Sequence, residues 1–451
     1  MKKILYCLTL TLIVFSLGCK KYLNEKPDTK LEIPTSLTDF QALIDNVSIM
    51  NFGPSAGETS ADNYYLTDAD YASLSQDNYK REYTWQNDYL FSILGNNDWF
   101  NTYRPAFTSN TILQNLSLSN YSSASQSTYN NVKGEAYFTR AQAFFQAADL
   151  WAQAYDVNTA GSQLGIPLRL GTDFNEKSTR STLEETYDQI ISDIRSSIKL
   201  LPVTPAHVIR PSKPAAYALL ARVYLAMRKY NEAGLYADSC LQIYNTLIDY
   251  NTLSTSAAYP FKQFNPEVIR ENKTPVPMPL NNSRARIDTL LYSSYANNDL
   301  RKTLFFKSST NGTFVFKGSY EGGSNLFSGI ATDEIYLIRA ECYARSGSIT
   351  NAMKDLNNLL INRFKTGTFT PLTAANSSSA LSIILAERRK ELLMRGLRWM
   401  DIKRLNKDGA NITLKRRVNG QTYTLQPNDL RYALPIPEDI IQITGMEQNP
   451  R

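Results

Sequence analysis

One segment of this 451-residue chain combines side chains suited to a ligand that is polar at its edge and apolar on its face: Tyr83-Thr84-Trp85-Gln86-Asn87-Asp88-Tyr89. It has no helical period, and amide and acid side chains flank its indole. A sugar ring offers an apolar C–H face and a rim of hydroxyls. An exposed aromatic plane takes the face while Asn, Gln, Asp or Arg hydrogen-bonds the rim. On this reading Trp85 faces solvent, and Trp85→Ala weakens binding without unfolding the chain. Bond-breaking chemistry finds less support. The single histidine, His207, lies in the turn Val203-Thr204-Pro205-Ala206-His207, with no second His and no Cys nearby. Neither a transition-metal site nor a serine triad can be built around it. No HExxH, CxxC, GxSxG or P-loop pattern occurs. Glycoside hydrolysis needs only two carboxylates, and 42 Asp and Glu residues leave it open by number. Asp62, Asp68 and Asp70 are of the type that binds calcium, but their spacing follows no ligand pattern. The residues therefore call for no metal and no cofactor.

A second reactive group, the Cys19 thiol, is defined by what precedes it. Lys2 and Lys3 form a positive start, and the 14 residues Ile4 to Leu17 carry no charge. That run suits a secretory signal and is too short for a membrane-spanning helix, which needs about 20 apolar residues. Its close, Leu17-Gly18-Cys19, resembles the lipobox of bacterial lipoproteins, in which residues 1–18 are cut away and the Cys becomes acylated on sulfur and nitrogen. Two or more acyl chains anchor stably where one binds marginally. The polar stretch Lys20-Lys21-Tyr22-Leu23-Asn24-Glu25-Lys26-Pro27 then reads as the start of a tether running to residue 34. The alternative is an ordinary signal peptide that happens to end near a Cys.

Composition places the remainder among core-forming chains, with 43% hydrophobic and 20% charged residues. The formal charge of +6 includes Lys2 and Lys3 and is spread evenly, which gives no footprint for nucleic acid. Beyond Cys19 only Cys240 and Cys342 remain, each within a helical pattern, so buried free thiols are expected rather than a disulfide. The 28 tyrosines are unusual for this length and suit surfaces that meet half-apolar partners.

The positioning elements are mostly helices. Leu37, Phe40, Ile44 and Val47 follow a Thr35 or Ser36 cap at helical spacing. Residues 51–96 show no clean period and read as long loops. Stripes over 98–118, with Pro105 as a kink, and over 132–155 predict two longer helices. Leu183, Tyr187, Ile190, Ile194 and Ile198 mark another that Leu201-Pro202 ends. The pairs 213–227 with 231–244, and 331–346 with 350–364, superpose: Tyr217, Ala221, Tyr224 and Ala233 match Tyr336, Ala340, Tyr343 and Ala352 at a constant offset of 119. Small residues at a helix crossing with an aromatic one turn away resemble tetratricopeptide packing. The offset implies a superhelix interrupted by residues 249–329, where Thr313-Phe314-Val315-Phe316-Lys317 alternates like a strand. Residues 382–404 read as one final helix in which Glu387, Glu391 and Arg395, four residues apart, alternate in charge along one face: an ion-paired packing helix, each such pair worth a few tenths of a kcal/mol on a helix surface.

In order along the chain, these pieces resemble the SusD/RagB family, surface glycan-binding lipoproteins of Bacteroidetes. The resemblance rests on the lipobox followed by Tyr22 to Pro27, on Trp99, Tyr103 and Asn110, and on Gly134-Glu135-Ala136. It continues through Tyr187 to Asp193 with Leu201-Pro202, and through Arg339-Ala340-Glu341. The most specific part is Glu387-Arg388-Arg389-Lys390-Glu391 leading to Gly396-Leu397-Arg398-Trp399, after which the chain closes on Leu434-Pro435-Ile436-Pro437 and Gln448-Asn449-Pro450. Two positions depart from the pattern: Arg395 stands where an acid is usual, and Gly445 where Asn is common. The resemblance implies a mostly α fold, a tetratricopeptide-like superhelix with long irregular loops and a few short strands, over one domain from residue 35 to 451. It implies an outer-membrane lipoprotein, not an enzyme, that captures an oligo- or polysaccharide for a SusC-like TonB-dependent transporter. It also implies ligand contacts from the N-terminal loops, where Tyr64, Tyr65, Trp85, Asn87 and Asp88 are candidates, and from the insertion, where Arg284, Tyr292, Tyr295 and Tyr320 are. A protein-binding tetratricopeptide scaffold and a surface glycosidase remain the competing readings.

Overall fold

Sequence-local signals set the helices, beginning with caps. The structure, a computed structural model, describes residues 34–92, 95, 97–117 and 125–451. Cys19, the run before it and the tether to residue 33 lie outside the described residues. Helix α1 (Leu37–Ile44) starts at Ser36, whose hydroxyl accepts from the Asp39 amide while Asp39 accepts from the Ser36 amide. Asn97 caps α2 (Asp98–Leu116), which carries Pro105 inside it. Next come α3 (Gln126–Trp151) and α4 (Leu183–Leu200), the latter capped by Thr182 and Glu185. Ser212 and Pro214 start α5 (Lys213–Ala226), and α6 (Tyr230–Leu241) follows a short turn. The later helices are α7 (Thr332–Arg345), α8 (Ile349–Leu360), α9 (Ser377–Glu391) and α10 (Arg398–Lys407).

Successive helices pack side by side from α2 to α8, and α9 lies against α7. The expected interruption therefore exists in sequence and not in space: α6 packs directly on α7. A Cβ built on Gly234 of α6 would lie 3.0 Å from the Cβ of Cys342 on α7, which shows how closely the two repeats approach. Ala221, Ala233, Ala340 and Ala352 are fully buried at the helix crossings, as their spacing implies. Tyr217 and Tyr224 both stack on Tyr236. Cys240 and Cys342 are buried free thiols, and burial pushes each up to about 12, which leaves them unreactive.

Residues between α6 and α7 fold back as a lobe of paired short strands. Antiparallel pairs join β1 (Tyr64–Tyr65) to β4 (Arg286–Ile287), β2 (Val268–Arg270) to β8 (Ile330–Ala331), and β3 (Lys273–Thr274) to β7 (Leu326–Phe327). The β5 strand (Phe306–Ser308) pairs with β6 (Phe314–Phe316), the hairpin that the alternation predicts, and β9 (Leu414–Val418) pairs with β10 (Gln421–Leu425). Residues 51–92 are less irregular than expected, because Ala56–Ser60, Asp68–Ala72 and Asp77–Tyr83 are short helices. Tyr250, Phe261, Phe305, Phe306, Tyr320 and Phe327 form an aromatic core inside the lobe.

The last charged segment differs most from expectation. It is two helices, broken where Met394 (φ 57°) and Gly396 (φ 70°) adopt left-handed backbone. Its charges are buried. Arg301, fully buried, meets Asp299 at 2.7 Å, Glu387 at 2.6 Å and Glu391 at 2.9 Å. Arg363, equally buried, meets Glu391 at 2.6 Å and Glu267 at 2.8 Å. Arg395 pairs with Asp333 of α7 at 3.0 Å rather than with Glu391. Arg404 holds Glu341 with two bonds and Asp401 with one, and Arg388 takes the other Asp401 oxygen. The other departure, Gly445, is the left-handed cap (φ 65°) of the helix Glu438–Thr444, a conformation that Asn also tolerates.

Removing one member of a buried pair leaves its partner charged and dry, at a cost of about 3–5 kcal/mol. Arg363→Met is therefore expected to destabilise the chain by about that much, read as a lowered urea midpoint. Burial alone raises the Glu391, Glu387, Glu341 and Asp401 carboxyls, but the facing cations outweigh it and hold all four below their ordinary values. Their stabilisation is present above the unfolded values of about 4 and is lost as pH falls through the lower folded ones. Asp149 runs the other way. Burial raises it to about 6, so its contribution is full below about pH 4 and declines as pH rises toward 6. Calorimetry across pH should show the thermal midpoint collapsing below about pH 4, and Asp149→Asn should flatten the curve between about pH 4 and 6.

Candidate functional site

The β1–β4 pairing brings the N-terminal segment and the lobe together, setting Tyr64 opposite Ile287 and Tyr65 opposite Arg286. The candidate side chains do not converge there. Trp85 is only 2% exposed; its indole N–H donates to the Ser60 carbonyl at 3.0 Å, and the Arg416 guanidinium lies 4.7 Å from its ring. The expectation of a solvent-facing indole is thus corrected. Positive φ at Trp85 (52°) turns the side chain inward under β9, a contact more than three hundred residues away in sequence. Tyr64, Tyr295 and Tyr320 are corrected for the same physical reason. Each ring is buried, and each hydroxyl has an internal partner: the Thr59 carbonyl for Tyr64, the Lys390 carbonyl for Tyr295, and the Glu267 carboxylate and Tyr250 hydroxyl for Tyr320.

Five candidates remain accessible. Asn87 and Asp88 are exposed in a turn with Tyr89, where Asp88 pairs with Arg81. That turn faces the C-terminal segment: the Tyr89 amide donates to Glu438 and Arg451 donates to the Gln86 carbonyl. Tyr65 and Arg284 are half-buried by the β1–β4 pair, with Arg284 donating to the Ser73 hydroxyl at 2.8 Å. Tyr292, also half-buried, stacks on Phe314 at 3.6 Å between ring centres. The calcium candidates face separate partners. Asp62 pairs with Arg398 and Arg389, Asp70 with Arg286, and Asp68 accepts from the Asn419 amide. His207 accepts from the Ile209 amide and packs edge-on against Phe264.

The lobe contains a cleft of 420 Å³, within the usual range of about 300–1,000 Å³ for ligand sites. None of the nine candidates lines it. Its apolar floor is Leu280, Phe316, Leu326 and Met394, the last placed there by the left-handed break after α9. Asn281, Asn282, Ser324, Asn325, Lys307 and Lys317 supply polar groups around it. Tyr259 is the accessible aromatic, 42% exposed, on a loop that Lys317 fastens by donating to the carbonyls of Thr255 at 2.7 Å and Ala257 at 3.0 Å. Pro275 and Val276 divide this cleft from a second of 190 Å³ that includes Asn78, Tyr79, Asn101, Glu82 and Asp98. Burial beside Asp98 pushes Glu82 well up, and Asp98 is engaged by the Ser55 and Ala56 amides at 2.8 and 2.7 Å. Among the described residues no carboxylate lines the first cleft. Sequence reading missed Tyr259 because it lies in an aperiodic stretch with no Trp to draw notice; the Asn281-Asn282 amide pair was the visible signal.

Comparison with known proteins agrees with this architecture. A family model described as starch-binding associating with outer membrane matches residues 21–225, and the SusD family model matches residues 307–451. No curated protein sequence matches. Among solved structures, a protein described as sugar-binding from Bacteroides vulgatus ATCC 8482 superposes with a TM-score of 0.75 at 22% identity, covering 93% of this chain and 99% of that one. A SusD superfamily protein from Bacteroides thetaiotaomicron VPI-5482 gives 0.74 at 22% identity, with 92% and 100% coverage. A SusD-like carbohydrate binding protein from Bacteroides vulgatus ATCC 8482 gives 0.66 at 18% identity, with 91% and 97% coverage. At these identities the likeness is one of fold.

Because Trp85 is core, Trp85→Ala is expected to cost about 3–5 kcal/mol of stability. A thermal-shift assay should register the loss directly, whereas a surface role predicts an unchanged melt.

Proposed function

The chain belongs to the SusD family, and on that premise we propose that it is a non-catalytic glycan-binding protein of the outer membrane surface. It captures an oligo- or polysaccharide in the 420 Å³ cleft and hands it to a SusC-like TonB-dependent transporter. Lipidation at Cys19 supplies the anchor. Among the described residues no helix is long and apolar enough to cross a membrane. Residues 35–451 act as one unit in which the helices are the frame and the lobe presents the ligand site.

The observation that carries this reading is the makeup of the cleft. An exposed tyrosine plane, an apolar floor and amide side chains at the rim match the two faces of a sugar ring. Hydrolysis requires a proton donor and a second carboxylate on opposite sides of the scissile bond, and this cleft is lined by neither. The accessible members of the first candidate set, Tyr65, Asn87, Asp88, Arg284 and Tyr292, stand outside both clefts and are proposed as secondary contacts for a chain longer than the cleft. Presence of a TonB-dependent transporter gene beside this one supports the delivery step, and a panel of polysaccharides separates glycan capture from a protein-only scaffold.

Tyr259→Ala should weaken retention of the bound polysaccharide about tenfold, the scale of one lost aromatic contact of about 1.4 kcal/mol. Affinity electrophoresis reads this, with the melting profile unchanged because Tyr259 packs little surface. Equal retardation of variant and parent would remove the cleft as the binding site.

A further inference from the structure

The charge of the same cleft narrows its ligand. Lys307 on β5 and Lys317 just after β6 both line it, and Asp and Glu are absent from its lining. Lys307 is exposed and has no carboxylate partner among the described residues. Lys317 directs two of its three N–H donors to backbone carbonyls, which fixes its position without cancelling its charge. The two ammonium groups act against each other: burial first and then Lys307 lower the Lys317 affinity for its proton. The buried Arg301, Arg363 and Arg404 each face at least two carboxylates, whereas Arg270 and Arg416, like Lys317, are held by backbone carbonyls; Lys307 differs from both groups in being exposed at the cleft. A pair of like charges beside an aromatic plane and an amide rim has the chemistry to receive an anion.

Resting on the reading of this cleft as a glycan site, we infer that it selects acidic glycans, placing a carboxylate or sulfate of the sugar chain between Lys307 and Lys317 while Tyr259 stacks on a ring. Tyr259 and the amides recognise the sugar, and the lysines discriminate charged chains from neutral ones. Carboxylate and sulfate share this chemistry, and a uronate carries the first while an ester sulfate carries the second.

The test is calorimetric titration of the full chain with matched pairs: polygalacturonate against its methyl ester, and a sulfated galactan against its desulfated form. The expected result is at least tenfold tighter binding of one anionic member over its neutral partner. Raising sodium chloride from about 0.02 to about 0.5 M should erase that preference, as screening demands. Lys307→Gln should lower the anionic affinity about fivefold, Lys307→Arg should retain it, and neither change should alter the melt. Equal affinity for charged and neutral members, insensitive to salt and to Lys307→Gln, overturns the inference while leaving glycan capture intact. Failure of every anionic and neutral chain to bind overturns both.

Discussion

The fold depends on buried guanidinium–carboxylate pairing between the helical frame and the lobe. Arg363, just beyond α8, reaches Glu267 at the start of β2, and Glu391 of α9 reaches Arg301 inside the lobe. These are desolvated contacts, so their geometry is enforced: a shifted register would strand a charge in the interior, where an unpaired ion costs several kcal/mol. Hydrophobic contact alone would let the lobe slide over the helices, because apolar attraction has no direction. The ion pairs remove that freedom. Arg222 of α5, held by Glu334 of α7 through two bonds, extends the same logic across the point where the repeats meet.

This constraint reaches the candidate site through the break after α9. Arg395 is pinned by Asp333 and lies 4.8 Å from the Tyr320 ring and 4.5 Å from that of Phe327. Met394, one residue earlier, enters the cleft floor in left-handed backbone. The rim is anchored separately by the β3–β7 and β5–β6 pairs. The floor and rim of the cleft are thus set by the fold itself, and a ligand bound there as proposed would not have to bear the entropy of ordering them.

Legibility in the sequence followed the range of the interactions involved. Helix spans, caps, the offset repeats and the β5–β6 hairpin arise from neighbours within a few turns, and the chain spells them out. The six residues added at the front of α3 and its end at Trp151 rather than 155 had no local marker, whereas the split of the final helix did have one in Gly396, which the charge pattern on either side concealed. Trp85 shows the limit more sharply. Its lack of period suggested a loop, but its burial is decided by Arg416, Ser60 and the turn of its own backbone. The cleft was hidden for the same reason: Tyr259, Asn281, Lys307 and Met394 are gathered by strand pairing that no local pattern encodes.

Part of the tyrosine content has an electrostatic role in the interior. Guanidiniums buried with their carboxylates still need a polarisable wall on their flat faces, and an aromatic ring supplies one without adding charge. Tyr250 lies 4.0 Å from Arg363 and Tyr230 lies 3.9 Å from Arg345; Tyr83 likewise lies 3.9 Å from Arg416, whose partners are the carbonyls of Tyr83, Thr59 and Ala61. Phenylalanine would cover the cation equally well, yet its edge offers nothing to the polar atoms beside an ion pair. The tyrosine hydroxyl does: Tyr320 donates to Glu267, Tyr295 donates to the Lys390 carbonyl, and Tyr83 accepts from the Leu66 amide. Tyr259, the proposed ligand contact, has no guanidinium over its ring among the described residues and is 42% exposed.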